Sequence, residues 1–124
     1  MKEVVLVDTG IIVEYLKTGK GVLPSAYENY EMVISAATFT ELLASKTFDD
    51  EALKKEVLEF CEKYFSVKEV GTETALKAAE VLRNSDVTLA TAYIAATALE
   101  RNIKILTDDQ KKFNGVAEVS FLKM

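Results

Sequence analysis

No histidine and no tryptophan occur in these 124 residues, and cysteine and proline occur once each. Without histidine there is no Ser-His or Cys-His nucleophile pair. With Cys61 as the only thiol, a zinc ligand set is also excluded. A single cysteine forms no intrachain disulfide. Cys61 falls in the helical pattern Leu58-Glu59-Phe60-Cys61 and reads as a small buried apolar residue. Basic residues are in the minority, with 15 Lys and Arg against 20 Asp and Glu and a net charge of −5. That balance argues against coating nucleic acid by charge alone. An enzyme with a local basic rim remains open. No apolar run is long enough to cross a membrane. Glu3 and Asp8 interrupt the only apolar run near the N-terminus, which is therefore not a secretory signal, and a soluble cytoplasmic protein is expected. Gly19-Lys20-Gly21 lacks the spacing of a phosphate loop and follows a helix instead of a strand.

What is present is a chain with 49% hydrophobic residues, which suits one domain spanning residues 1–124. Short apolar runs alternate with helical patterns. Residues 3–7, Met32–Ser35, part of Phe65–Val70, Ile103–Leu106 and Val119–Leu122 read as strands. Between them, helices are expected at Thr9–Lys17, Thr38–Ser45, from Asp49 or Asp50 through Tyr64, at Thr72–Arg83 and at Thr88–Glu100, with a short helix or an ordered loop at Leu23–Tyr30. Gln110–Phe113 reads as a short turn of helix. In Thr72–Arg83 the inward face is taken as Ala75, Leu76, Ala79 and Leu82. Thr88–Glu100 is apolar nearly all round, so it should be buried, its alanines allowing close packing on a sheet. The order predicts an α/β fold with three layers, α/β/α, around a central parallel sheet of about five strands.

In such a sheet, chemistry gathers outside the carboxyl ends of the strands. Acidic residues stand at that edge in three distant segments: Asp8 after Val4-Val5-Leu6-Val7, Glu41 on the first turn of the helix after Met32-Val33-Ile34, and Asp109 just past Ile103-Lys104-Ile105-Leu106. Asp108 adds a further charge. Each also has a plain structural reading. Asp8 suits a helix N-cap. Thr38-Phe39-Thr40-Glu41 fits a capping box, and so does Thr107-Asp108-Asp109-Gln110. The coincidence of acidic caps on one edge points to a shared role. Crowded carboxylates repel unless a cation intervenes, and hard oxygen donors suit Mg²⁺ or Mn²⁺.

The segments carrying these acids resemble the motifs of the PIN-domain nucleases, especially the VapC-type toxin ribonucleases of prokaryotic toxin–antitoxin pairs. The first is Val4-Val5-Leu6-Val7-Asp8-Thr9-Gly10-Ile11-Ile12. The second is Ile34-Ser35-Ala36-Ala37-Thr38-Phe39-Thr40-Glu41-Leu42-Leu43. The third is Ala90-Thr91-Ala92-Tyr93-Ile94-Ala95-Ala96-Thr97-Ala98-Leu99-Glu100. The fourth is Ile105-Leu106-Thr107-Asp108-Asp109, followed by Lys112-Phe113. They stand in the family's order over nearly the whole chain.

The resemblance implies a PIN-like fold and metal-dependent endonucleolytic cleavage of RNA. It implies an antitoxin partner and a homodimer. Asp8, Glu41 and Asp109, with Asp108, would hold Mg²⁺ or Mn²⁺. Thr9 and Thr107 would orient those carboxylates, and Lys17, Lys20, Lys46, Lys111 and Lys112 are either ordinary surface lysines or candidates for phosphate contacts. At one position the chain departs from the pattern: Thr91 stands where the family usually has a metal-binding Asp. Three explanations stand beside one another. The remaining carboxylates suffice for one ion, Asp86 or Asp108 substitutes, or catalysis is lost. The last of these makes the chain a silent PIN-fold module that binds RNA or a protein. A response-regulator receiver also gathers acids at strand ends, but it needs paired acids after its first strand, where this chain has Asp8 alone.

Overall fold

Val4 to Val7 is β-branched or leucine at every position and has no break, so it enters the sheet as a continuous strand. In the computed structural model, which describes residues 1–124, this strand is β1 (Glu3–Val7). It is followed by α1 (Thr9–Thr18), α2 (Leu23–Asn29), β2 (Tyr30–Ser35), α3 (Ala36–Ala44), α4 (Glu51–Tyr64), β3 (Ser66–Lys68), α5 (Thr72–Asn84), α6 (Leu89–Arg101) and β4 (Lys104–Leu106). Short 3₁₀ turns occur at Lys46–Phe48 and Gln110–Phe113. The strands form one four-stranded parallel sheet in the order β3-β2-β1-β4. Val5 pairs with Met32 on one side and Lys104 on the other.

Alternation along the strands divides the core into two layers, as the pleat requires. Val5, Val7, Met32, Ile34 and Leu106 face α1 to α4 and pack with Ile12, Leu42, Val57 and Cys61. Leu6, Val33 and Ile105 face the opposite way, onto Ile94, Ala95 and Ala98 of α6 and onto Phe113. The expected three-layer α/β/α fold is therefore present. α5 lies outside α6, closing on it through Ala78, Val81, Ala92 and Ala96.

Three details depart from expectation. The sheet has four strands instead of about five. In place of a strand at Val119–Leu122 there is one isolated parallel bridge, Phe121 to Ile105. The chain reaches it through positive φ at Gly115 and Glu118, and within the three-residue β4 it is Ile105 that exchanges backbone hydrogen bonds with it, through Ser120 and Leu122. α3 starts two residues earlier than Thr38, because Ser35 accepts from the Ala37 amide and caps it. Glu41 therefore lies in the second turn, outside any capping box. Finally, α5 buries Thr74, Ala78 and Val81, not the predicted face; Ala75, Leu76, Ala79 and Leu82 are exposed. Other ends follow the sequence closely: Asp50 caps α4 through the Ala52 amide, and Asn102, at φ 53°, stops α6 in the left-handed region.

Candidate functional site at the carboxyl edge of the sheet

β1 ends on Asp8, the one residue of the chain that is both acidic and fully buried, with 1% of its surface exposed. It is held there by donors from three directions. The Thr9 amide donates to Oδ1 at 2.9 Å, the Thr107 hydroxyl to Oδ2 at 2.7 Å, and the Lys112 ammonium to Oδ1 at 2.7 Å. Its backbone amide is tied to the Leu106 carbonyl of β4. Asp8 also caps α1, where the helix dipole favours its negative charge. A buried carboxylate survives only when paired and hydrogen-bonded, and Asp8 is both.

Thr9 connects the next motif. Its oxygen lies 2.7 Å from Glu41 Oε1 and 3.0 Å from the Thr38 hydroxyl. A hydroxyl has a single proton. The consistent assignment is that Thr38 donates to Thr9 and Thr9 donates to Glu41. A relay thus runs from the buried Thr38 through α1 to the partly exposed Glu41. In the fourth motif Thr107 accepts from the Asp109 amide at 3.0 Å while donating to Asp8. Gln110 does not reach back as a capping box would have it, because Thr107 closes the turn itself. Asp109 is exposed and its carboxylate makes no capping bond. Asp108 leans toward α1: a Cβ added to Gly10 would lie 3.3 Å from its Oδ1.

The structure thus links Asp8, Thr9, Thr38, Glu41, Thr107 and Lys112 in one hydrogen-bonded group, with Asp108 and Asp109 on the adjoining loop. Thr91 is buried on the first turn of α6, where its amide and hydroxyl both meet the Thr88 hydroxyl. Asp86 is exposed in the loop before α6 and makes no hydrogen bond to this group. No three His, Cys, Asp or Glu side chains lie close enough together to hold a metal ion. The donor chemistry of Asp8, Glu41, Asp108 and Asp109 nonetheless fits a hard divalent cation, being all carboxylate oxygen. The arrangement already seats a positive charge, Lys112 Nζ, on the most buried of those carboxylates.

Lys112 is the participant that sequence reasoning placed elsewhere, among surface phosphate contacts. It is held by its neighbour. Phe113 is buried against Phe121 with ring centroids 5.7 Å apart, which anchors the 3₁₀ turn and aims Lys112 inward. A buried acid at the end of a buried strand does demand a cation. A sequence separation of 104 between the two partners hides which one supplies it.

Cys61, on the inner face of α4, is buried as expected. Burial, with a smaller contribution from the neighbouring Glu62 charge, pushes its thiol up to about 11.

The chain belongs to the PIN domain family, whose sequence model matches residues 5–119. Its fold is similar to that of VapBC-1 from nontypeable Haemophilus influenzae, with a TM-score of 0.80, 18% identity and 97% of each chain covered. It is similar also to VapBC2 from Rickettsia felis bound to a DNA fragment from their promoter, with a TM-score of 0.79, 15% identity and 98% of each chain covered. A toxin–antitoxin complex from Klebsiella pneumoniae aligns at a TM-score of 0.74 and 21% identity, over 93% of this chain and 94% of that one. No curated protein matches by sequence.

Proposed function

We propose that this protein is the toxin of a toxin–antitoxin pair and a metal-dependent endoribonuclease. The observation that carries the reading is the hydrogen-bonded group at the carboxyl edge, which joins the first, second and fourth acidic motifs through Thr9 and Thr107. Asp8 and Glu41, with Asp108 or Asp109, would hold Mg²⁺ or Mn²⁺. Bound there, the ion would supply charge neutralisation at the phosphodiester and acidify a water. The protein's own contributions are orientation and charge. Thr107 fixes one Asp8 oxygen, Thr9 fixes one Glu41 oxygen, and Thr91 offers a neutral hydroxyl where a carboxylate would otherwise help. Lys111 is exposed, and in this reading it would meet a phosphate.

The partners follow the same reading. The similar folds named as VapBC and toxin–antitoxin assemblies support an antitoxin for this chain. A homodimer belongs to the same reading, with the exposed Leu76 and Leu82 of α5 as its candidate contacts. No helix is long and apolar enough to cross a membrane.

The test is cleavage. Purified protein with Mg²⁺ or Mn²⁺ should cut RNA, and Asp8→Asn should lower the rate at least ~100-fold, the scale on which a lost metal ligand or its support acts. Protein that cuts nothing in a broad RNA panel with either ion would sink the proposal. One rival reading is favoured by a specific observation. Thr91 replaces a carboxylate, which suits a silent PIN-fold module that binds RNA or protein without chemistry. Thr91→Asp separates them: cleavage gained only in that variant identifies the natural chain as silent.

A further inference from the structure

Lys112 Nζ sits 2.7 Å from Asp8 Oδ1, with 26% of the lysine side chain and 1% of the aspartate exposed. An exposed lysine–carboxylate contact of this kind is worth little and breaks freely. This one differs in three ways. The carboxylate is buried, so leaving it unpaired is costly. The lysine is aimed by a buried anchor, Phe113, over whose ring its ammonium also lies at 5.5 Å. And it shares Asp8 Oδ1 with the Thr9 amide while Thr107 takes Oδ2, so the protein's own donors engage both carboxylate oxygens.

We infer that Lys112 is a built-in counter-ion of this site, and that a divalent cation reaches Asp8 only by displacing it. The inference rests on the metal-dependent reading above, since it concerns the same carboxylates. The physics is competition for one desolvated anion. Asp8 cannot give its full charge to an ammonium and to a divalent ion at contact distance, and the two cations repel each other. Displacement is feasible because Lys112 is on the solvent side of the pair and its stem can swing outward, as lysine stems do. The consequence is a metal affinity set partly by a residue that is no ligand.

The expected result is read without any RNA. Calorimetric titration with Mn²⁺ should give binding to Lys112→Met at least ~10-fold tighter than to the natural protein, the scale on which a charge in contact shifts a carboxylate's affinity for a cation. Lys112→Gln keeps a hydrogen-bond donor without the charge and should show the same direction if the methionine variant folds poorly. Lys112→Arg keeps the charge and should not tighten binding. A second measurement uses the unaltered chain. Amine acetylation followed by mass spectrometry should label Lys112 more slowly than its exposed neighbour Lys111, and saturating Mn²⁺ should remove the difference. Equal Mn²⁺ affinity in the natural, Lys112→Met and Lys112→Gln proteins, or no binding in any of them, overturns the inference. So does a Lys112 whose labelling Mn²⁺ leaves unchanged or slows. Cleavage that persists alongside such a result leaves the proposed nuclease standing. Tighter binding in a protein that never cuts RNA leaves the counter-ion standing and removes the nuclease.

Discussion

Thr9→Val is the most informative single change at the carboxyl edge. Valine keeps the shape and nearly the helix propensity of threonine, and the Thr9 amide still caps onto Asp8. What disappears is the oxygen between Thr38 and Glu41, at 3.0 and 2.7 Å. The bond to Glu41 is charge-assisted, about 1.5–3 kcal/mol net, and the bond from Thr38 is neutral, about 1 kcal/mol. Glu41 is partly exposed, so water recovers some of the first. Thr38 is fully buried, so its hydroxyl is left with no partner. The expected loss is about 2–3 kcal/mol, read as a lower urea midpoint with an unchanged slope. RNA cleavage should fall as well, because Glu41 loses the contact that orients it. Thr38→Val provides the internal control. Once the buried hydroxyl is gone, adding Thr9→Val should cost less than it does alone, a coupling that a double-mutant cycle resolves. A loss below ~0.5 kcal/mol, the range of an ordinary surface substitution, or strict additivity in the cycle would refute the relay.

Two further expectations concern regions away from the site. The Cys61 thiol is raised from 9.0 to about 11 in the folded protein. Its folded value lies above its unfolded one, so its contribution to stability is complete below about 9 and lost as pH rises toward 11. Denaturant titrations of the natural protein and Cys61→Ala across that window should show the natural protein losing more; parallel curves would contradict the burial argument. On α5, Leu76→Glu alters a side chain 60% exposed. It should leave the fold intact and shift a dimer toward monomer in light scattering at micromolar protein. An unchanged oligomer would move the interface elsewhere.

Where the sequence could be read, the reason is short-range. The runs ending at Val7 and Ile34 could only be buried strands. Asp50, Asn102 and the alanines of α6 act on their immediate neighbours, so their signals survive without tertiary knowledge. The failures share a different cause. Ser35 and Thr38 are both plausible caps, and the choice fell to Ser35 because Ala36 and Ala37 let the helix wind directly off β2. On α5 the bulkier stripe, with Leu76 and Leu82, looked like the core face. The helix instead turns its small Thr74 and Ala78 inward, since α6 offers Ala92 and Ala96 and so admits a close approach. Thr74 is also drawn in by the Glu100 carboxylate, at 2.8 Å. The Asp8–Lys112 pair depends on the sheet bringing β1 and β4 side by side, and no local pattern encodes that.

The lone bridge at Phe121 has a consequence for solubility. β4 is the outer strand of the sheet on that side, and it is short and apolar at Ile105 and Leu106. An open strand of this kind invites pairing with another molecule. Here the Ile105 amide donates to the Ser120 carbonyl and the Leu122 amide to the Ile105 carbonyl, both at 2.9 Å. The final segment therefore acts as a guard rail: too irregular to extend the sheet, yet long enough to occupy the backbone groups that would recruit a neighbour. Sequence change in that segment should show up first as self-association, with the chemistry of the opposite residues untouched.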